Sequence, residues 1–326
     1  MLESNMKITQ SPILSLRDVS VIYRNANLFS KKSRIQRPAI NSVSFDLPAK
    51  GTIGIVGESG CGKSTIAKAI LMIINPVSGV ITFNGHNQAY WQRRKKKFYS
   101  QVQLIWQDPF SSINPKMRIK EIISRPLSNF YSLNKNEINQ RLNEIIVKVG
   151  LTEEHLEMYP HELSGGGRQR ITIARALISE PSLLIADEPT SALDVSIQAQ
   201  ILNLMRELKD EMSLSMVFIS HNISVVNFLC DTIIVMYMGH IVEQAPRETL
   251  INHYRHWYTA LLFESIPRGP VSKELKFSID LGELEICDSG CPFAPRCIRA
   301  DDICFRVKPK LEKIGIDHLC ACHHYK

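Results

Sequence analysis

Short apolar runs separated by longer mixed segments set the pattern of this chain. Residues 13–23 and 42–47 alternate between apolar and polar side chains, as strands with one buried face do. Ile197, Ile201, Leu204, Leu208 and Met212 follow helical spacing and predict a helix with a core-facing stripe. Other short runs are mostly apolar and predict buried strands: residues 52–56, 102–106, 183–186, 216–219 and 233–236. Strands that alternate with helices predict an α/β fold with a mainly parallel sheet.

A glycine-rich turn follows the first of the buried runs and precedes an apolar helical segment, residues 66–72. This order of strand, glycine-rich turn and helix is what a phosphate-binding loop needs, because glycines let backbone N–H groups surround an anion at a helix N-terminus. Lys63 would neutralise the β and γ phosphates, and Ser64 would ligate Mg²⁺. The predicted nucleotide-binding residues of this loop are Gly57, Glu58, Ser59, Gly60, Cys61, Gly62, Lys63, Ser64 and Thr65.

The run at residues 183–186 ends in Asp187 and Glu188. A carboxylate at the end of a strand downstream of a phosphate loop can hold Mg²⁺, and we assign that role to Asp187. Glu188 beside it can activate the attacking water as a general base. Between the phosphate loop and the Asp187-Glu188 pair, the chain from about residue 114 to residue 178 is largely helical in character. This segment predicts a helical insertion into the nucleotide core.

Composition narrows the class of protein only slightly. The chain has 326 residues and a formal net charge of +7, with basic runs at residues 31–34 and 93–97. Because no aromatic-interleaved basic stripe or nucleic-acid motif accompanies these runs, we expect solvated faces and no nucleic-acid partner. No apolar run reaches the roughly 18 residues that a bilayer span needs, and the N-terminus has no signal-peptide pattern, so a cytosolic address is expected.

The segment Leu163-Ser164-Gly165-Gly166 resembles the signature motif of ABC-type ATPases, and the resemblance covers residues 13–265. It implies an α/β fold with a phosphate-loop core sheet, an antiparallel β subdomain and a helical subdomain at about residues 110–178. It also implies roles for further residues: Tyr23 stacking on adenine, Gln107 contacting Mg²⁺ and relaying the nucleotide state, Ser164, Gly165, Gly166 and Asp194 contacting nucleotide, and His221 contacting the γ-phosphate.

Two positions depart from the family pattern. Gly167 is the fifth signature residue, where glutamine is commonest, and Asn222 follows the switch histidine in place of aspartate. Since Glu188 and His221 are both present, we expect a hydrolytic ATP site with Mg²⁺. A second helix N-terminus behind Gly165 suits a head-to-tail dimer, in which each signature closes the phosphate loop of the other subunit.

Several stretches are similar to one branch of the family, the ATP-binding subunits of bacterial dipeptide, oligopeptide and nickel importers. They are residues 191–200, residues 256–262 and the cysteine-rich tail. The resemblance implies a homologous second ATPase subunit, two transmembrane permease subunits, an extracytoplasmic peptide-binding protein, and a peripheral position on the cytoplasmic face of the inner membrane. Nickel and antimicrobial peptides stay open as cargo. A soluble ABC ATPase acting on DNA or ribosomes is a rival, although the chain shows one signature and no sustained heptads.

The tail forms the last expectation. We divide the chain into an ATPase domain, residues 1–266, and a small cysteine-rich C-terminal extension, residues 267–326. Cys291, Cys297, Cys304 and Cys322 are separated by 5, 6 and 17 residues, spacings longer than those of usual zinc pairs. Four such thiolates can hold a [4Fe–4S] cluster, to which the branch resemblance also points. Zinc and plain reduced cysteines remain alternatives, with Cys287, Cys320 and His324 as substitute ligands.

Overall fold

The structure is a computed structural model that describes residues 11–23, 38–108, 112–264, 287 and 289–325. The described strands are β1 Leu14–Val21, β2 Ile40–Leu47, β3 Thr52–Val56, β4 Ser78–Phe83, β5 His86–Asn87, β6 Val102–Ile105, β7 Leu183–Asp187, β8 Ser215–Ser220, β9 Thr232–Tyr237, β10 His240–Pro246, β11 Glu312–Gly315 and β12 His318–Cys320. The described α-helices are α1 Lys63–Ile70, α2 Gln88–Gln92, α3 Lys95–Gln101, α4 Ile119–Phe130, α5 Lys135–Lys148, α6 Gly165–Leu177, α7 Val195–Glu211, α8 Ile223–Leu229, α9 Arg247–His253, α10 Trp257–Glu264 and α11 Asp302–Arg306.

The core is a sheet with strand order β11-β12-β10-β9-β3-β8-β7-β6. Its strands from β9 to β6 are parallel, whereas β10, β12 and β11 extend it in antiparallel fashion. Strands β3, β7 and β8 are buried along their whole length, which explains why their sequences are continuous apolar runs without alternation. Because parallel strands end at one edge of the sheet, the segments after β3, β6, β7 and β8 meet there.

The second sheet is antiparallel, with strand order β2-β1-β4-β5. The apolar positions of β1 and β2 pack in one cluster with α1, as the alternation at residues 13–23 and 42–47 predicts. This sheet is the expected antiparallel β subdomain. The predicted loop insertion at residues 24–38 lies, apart from Pro38, outside the described residues.

The helical subdomain comprises α4, α5 and α6 with two 3₁₀ turns, Glu153–Glu157 and Pro160–Glu162. Helix α5 begins with a capping box: the Asn134 side chain accepts a hydrogen bond from the backbone N–H of Glu137, and the Glu137 carboxylate accepts one from the backbone N–H of Asn134. On α4 the residues at helical spacing are buried: Ile119, Ile122, Ile123 and Leu127. Residues 109–111, at the start of the predicted insertion, lie outside the described part.

The C-terminal extension adds two strands to the core sheet. Strand β12 pairs with β10 through Glu243 opposite Cys320, and β11 pairs with β12. The buried His318 ring lies 2.8 Å from the carboxylate of Glu243, which is fully buried. The extension is therefore part of the sheet, which the sequence did not predict. The predicted boundary at residues 266–267 lies outside the described residues.

The basic run at residues 93–97 begins directly after α2 and continues into the first turn of α3. All five of its side chains are exposed, as expected for a solvated face. Among the described residues, no helix is both long enough and apolar enough to cross a bilayer.

Candidate functional site

The phosphate loop, residues 57–65, leaves β3 and enters α1 with Gly62 as its N-terminal cap. Gly62 has φ of +106°, and a Cβ added there would lie 2.4 Å from the carbonyl oxygen of Ala39. A Cβ at Gly57 would lie 2.2 Å from the carbonyl oxygen of Met236. Glycine is required at both positions because the loop is pressed against neighbouring backbone. The loop thus keeps the amide-lined shape that suits an anion.

Lys63 lies at the centre of this loop and is 4% exposed. Its Nζ donates hydrogen bonds to the carbonyl oxygens of Gly57, at 2.7 Å, and Glu58, at 2.9 Å. A buried ammonium group needs such partners. The loop carbonyls hold the lysine charge beside the amides on which phosphates would sit.

Ser64 and Asp187, the two predicted magnesium ligands of the loop and strand, are brought together. The Ser64 hydroxyl donates to Oδ1 of Asp187 at 3.1 Å. Burial raises the pKa of the Asp187 carboxyl above the usual value of an aspartate, and the hydrogen bond from Ser64 partly opposes that rise. A desolvated carboxylate next to a hydroxyl is suited to a divalent cation, which would restore the lost solvation.

Glu188 follows β7 with φ of +48°, a left-handed conformation that is rare for residues other than glycine. Its backbone N–H donates to the carbonyl of Ile219 on β8, which fixes this turn. The Glu188 Oε2 atom lies 3.0 Å from Nδ1 of His221 and 3.4 Å from Nε2 of Gln107. The predicted base, switch histidine and relay glutamine therefore share one carboxylate oxygen. Gln107 contacts Glu188 here rather than the pair Ser64 and Asp187.

The phosphate loop, Gln107, Glu188 and His221 line one cavity of about 870 Å³, whereas Asp187 is not among its lining residues. Tyr23 stands at its rim, 46% exposed, with its hydroxyl 3.2 Å from that of Thr65. The Cys61 side chain faces away into the core beside Gly57 and does not line the cavity. The lining residues are Tyr23, Ala39, Gly57, Glu58, Ser59, Gly60, Gly62, Lys63, Ser64, Thr65, Gln107, Glu188, His221 and Leu262.

The predicted signature contacts do not line this cavity. Ser164 caps α6, with its hydroxyl accepting the N–H of Gly167 at 3.2 Å, and Gly165 and Gly166 form the first turn. Asp194 caps α7 in the same way, and its hydrogen bonds from Ile197 and Ser196 lower the pKa of its carboxyl. All four predicted contacts thus belong to two helix starts away from this chain's own phosphate loop.

The four predicted tail cysteines, Cys291, Cys297, Cys304 and Cys322, line one small cavity, together with His323 and His324. All four of these cysteines are free thiols. Burial raises the pKa of Cys291 to about 11, and the nearby thiols of the other three add to that rise. The substitutes Cys287 and Cys320 do not line this cavity, whereas His324 does.

A second group of possible ligand atoms overlaps this cavity. Asp301, Cys304 and His324 each offer one atom within 4.8 Å of the others. The side chains of the tail that could bind a metal are therefore mostly thiols, with the carboxylate of Asp301 and the ring of His324 beside them.

Two residues that contact the phosphate loop are not among the predicted site residues, Tyr258 and Arg296. The Tyr258 hydroxyl accepts a hydrogen bond from the backbone N–H of Glu58 at 2.8 Å. Arg296 of the tail binds the Glu58 carboxylate with two nitrogens, each at 2.9 Å. No local sequence signal marks either contact, because 200 residues separate the first pair and 238 the second.

Comparison with protein families gives two matches. Residues 40–191 match the ABC transporter family model, and residues 242–304 match the model of the oligopeptide/dipeptide transporter C-terminal region. The first match covers the phosphate loop, the signature and the Asp187-Glu188 pair. The second covers three of the four predicted tail ligands.

Curated relatives match over nearly the whole chain. The oligopeptide transport ATP-binding protein AppF of Bacillus subtilis is 40% identical over 324 residues, which cover 97% of this chain and 98% of the relative. The oligopeptide transport ATP-binding protein OppF of Haemophilus influenzae is 41% identical over 308 residues, 92% of each. Among solved structures, the dimeric ATP-binding cassette MJ0796 bound to ADP and Pi has a TM-score of 0.63 and 25% identity, covering 72% of this chain and 98% of that one.

The fold, the nucleotide-site geometry and these matches agree with one another. An ABC ATPase core with a transporter-type C-terminal region accounts for both halves of the chain. The chain belongs to the ABC transporter family, in its branch of oligopeptide and dipeptide transport ATP-binding proteins.

Proposed function

We propose that this chain binds and hydrolyses ATP to drive the uptake of dipeptides or oligopeptides through partner permease subunits. The observation that carries the ATPase chemistry is the convergence of Gln107 and His221 on Oε2 of Glu188, at the edge of the phosphate-loop cavity. The names of AppF and OppF and the match to the transporter C-terminal region support the peptide cargo.

The phosphate loop would bind the triphosphate through its amides, with Lys63 shifting from the loop carbonyls to the β and γ phosphates. Tyr23 at the cavity rim is exposed enough to stack on the adenine ring. Ser64 and Asp187 would hold Mg²⁺, with Gln107 as a further ligand, and the bound ion would neutralise charge on the phosphates.

Glu188 would accept a proton from the attacking water at Oε2, the oxygen that His221 and Gln107 now contact. Its backbone is fixed by the hydrogen bond to Ile219, so the carboxylate is held at the strand end. His221 is 58% exposed in its side chain and lies at the open side of the cavity, where it can reach a γ-phosphate. The side chains that would orient the attacking water and contact the γ-phosphate thus follow three neighbouring strands, β6, β7 and β8.

The signature would act in trans. Because Ser164, Gly165 and Gly166 lie outside this chain's own cavity, a nucleotide bound there lacks these contacts until a second subunit supplies them. We infer a head-to-tail pair with a homologous ATPase subunit. The ATP-binding cassette MJ0796, a similar fold, is also a dimer in its structure with ADP and Pi. ATP would hold the pair closed, and hydrolysis would open it.

A groove beside Gln107 is the surface that we assign to the permease. It has a volume of about 410 Å³ and opens between β6, α3 and α4. Trp106 and Ile73 on this surface are 38% and 52% exposed. Since Trp106 adjoins Gln107, which contacts Glu188, a permease segment in the groove would sense the nucleotide site. This contact would keep the chain at the cytoplasmic face of the membrane.

Gentle solubilisation of native membranes and capture of the full chain tests this proposal. We expect two permease subunits and a second ATPase to co-purify, and fewer of them with Trp106→Ala. Val147→Ala, which changes an exposed apolar residue on α5, is the matched control. Recovery of ribosomes or DNA-bound proteins without a permease would overturn the transport function and leave only the ATPase.

Cargo is tested separately, by uptake in cells that carry Glu188→Gln in place of the wild-type chain. Loss of labelled dipeptide or oligopeptide uptake, with nickel uptake unchanged, supports the proposed cargo. Loss of nickel uptake or of sensitivity to an antimicrobial peptide, with peptide uptake retained, would reassign it. The extracytoplasmic binding protein recovered with the complex would then be screened for the same ligands.

For the tail, we propose a [4Fe–4S] cluster held by Cys291, Cys297, Cys304 and Cys322. The support is that four free thiols line one cavity in a small module. A bound cluster would stabilise that module. Anaerobically purified protein should contain iron and acid-labile sulfide, and Cys304→Ser should lose both. Zinc in place of iron, or neither metal, would refute the cluster.

A further inference from the structure

In the part of the cysteine-rich extension that the structure describes, Arg296 reaches the phosphate loop. Nη1 of Arg296 donates to Oε2 of Glu58 and Nη2 donates to Oε1, both at 2.9 Å, which makes a two-pronged ion pair. Nη1 also lies 3.4 Å from the hydroxyl of Tyr237. The Arg296 side chain is 19% exposed and that of Glu58 is 43% exposed. Paired geometry and partial burial separate this contact from ordinary surface ion pairs.

Glu58 is held at every polar group that it has. Its N–H donates to the Tyr258 hydroxyl, its carbonyl oxygen accepts from Nζ of Lys63, and its carboxylate is held by Arg296. Lys63 is the group that must reach the phosphates. A shift of Glu58 would therefore move the anchor on which Lys63 rests. The tail thus contacts Glu58, and Glu58 in turn contacts Lys63, the cation at the centre of the nucleotide site.

Arg296 is itself fixed by its surroundings. It ends a 3₁₀ turn, Ala294–Arg296, in the short segment between Cys291 and Cys297. In the same segment, Phe293 packs edge-on against Tyr237 at 5.3 Å and tilted against Tyr258 at 5.4 Å between ring centroids. Phe293, Tyr237 and Tyr258 are all buried. The aromatic packing of Phe293 and the ion pair of Arg296 therefore both extend from one short segment of the tail to the same side of the phosphate loop.

We propose that Arg296 is a positioning residue for the phosphate loop, so that the cysteine module sets the affinity of the ATPase core for nucleotide. A glycine-rich loop must be ordered when it binds phosphate, and ordering it beforehand lowers that entropic cost. Displacement of the segment 291–297 would release Glu58 and weaken nucleotide binding. The inference rests on the proposed use of this cavity for ATP and is independent of the cargo.

The test is the dissociation constant of a fluorescent ATP analogue, measured on the full chain with Mg²⁺. Arg296→Gln should weaken binding about fivefold, since a partly buried paired contact is lost. At saturating ATP the turnover rate should change by less than about twofold, because no catalytic group is altered. Arg306→Gln is the matched control, because it removes an exposed arginine of the same module that pairs with Asp302.

A double-mutant cycle separates positioning from a general loss of structure. Glu58→Gln and Arg296→Gln should each weaken binding when alone, and the double variant should bind no more weakly than the weaker single variant, because both changes remove the same contact. Lys63→Met should abolish binding in every background. If Lys63→Met binds normally, the proposed ATP site fails. If Lys63→Met fails to bind but Arg296→Gln binds as wild type does, or the defects of Glu58→Gln and Arg296→Gln simply add in the double variant, Arg296 has no positioning role.

Discussion

Oxygen Oε2 of Glu188 lies 3.0 Å from Nδ1 of His221 and 3.4 Å from Nε2 of Gln107. The three side chains follow the adjacent strands β7, β8 and β6, so the parallel sheet itself brings them together. Because two groups share one carboxylate oxygen, a ligand that draws either group away frees that oxygen for water. Nucleotide binding can therefore change the surroundings of the base without moving its backbone.

Glu188→Gln should lower the ATPase rate about a hundredfold or more, because an amide cannot accept the proton of the attacking water. ATP should still bind, since the phosphate loop is untouched. The measurement is phosphate release under saturating ATP, alongside the dissociation constant for ATP. Glu211→Gln, at an exposed ion pair with Lys148, is the control and should leave both unchanged. A Glu188→Gln chain that hydrolyses ATP at the wild-type rate would remove Glu188 from the role of base.

Asp187→Asn should stabilise the nucleotide-free chain and destroy its Mg²⁺-dependent ATPase. Burial raises the pKa of this carboxyl, so the charged form destabilises the native state above that pKa and a neutral amide does not. We expect a melting temperature higher by about 2 °C at pH 7.5. The advantage should shrink as the pH falls, because the wild-type carboxyl then becomes protonated and neutral too. A variant that melts lower than wild type at pH 7.5 would contradict the desolvation argument.

Much of the nucleotide half could be predicted from local sequence. A glycine-rich loop, a strand ending in Asp187-Glu188 and a signature before a helix are each encoded within a few residues. Buried strands such as β3 and β7 are recognisable because both faces are apolar. Helices α2 and α3 were not predicted, since each is short and, in the described structure, buries a single side chain, Trp91 or Phe98.

The link between the tail and the phosphate loop could not be predicted from the sequence. Arg296 and Glu58 are ordinary charged residues 238 positions apart. The tail is brought to the core by long-range contacts, among them the pairing of β12 with β10 and the packing of Phe293 on Tyr237. The local clustering of cysteines in the tail also favoured the prediction of a separate extension. Long-range strand pairing carries no periodic signal, so neither the added strands nor the Glu58 contact was visible.

Gly165→Asp should block the trans site while leaving the fold intact. A Cβ at Gly165 meets its nearest neighbour, a Leu193 methyl, at 3.6 Å, which is an ordinary contact. A carboxylate at this helix start would repel the γ-phosphate of a partner's nucleotide. In the Glu188→Gln background, Mg-ATP should pair this chain with the second ATPase subunit recovered from the membrane complex, as light scattering measures, and Gly165→Asp should weaken that pairing. ADP serves as the control that gives no dimer. If Gly165→Asp leaves the pairing with ATP as strong as before, the signature does not contact the partner's nucleotide.

His240 should make the junction of core and tail sensitive to acid. Its Nε2 lies 2.9 Å from Nζ of Lys308 in the tail, and burial together with the lysine charge lowers the pKa of His240 to about 4. The unfolded chain would take up a proton near pH 6.5, whereas the native ring stays neutral until about pH 4. The native state therefore loses stability as the pH falls through this window, by about 2 kcal/mol at pH 4.5.

Urea unfolding at pH 7.5, 6 and 5 measures this effect. His240→Gln keeps an oxygen that can accept from Lys308 but cannot be protonated, so its stability should fall less steeply between pH 6.5 and pH 5. His253→Gln, on the exposed end of α9, is the matched control and should keep the wild-type slope. If the stability of His240→Gln and of wild type falls equally with pH, His240 is protonated to the same extent in the native and unfolded states. The contact with Lys308 would then not depend on a neutral His240 ring.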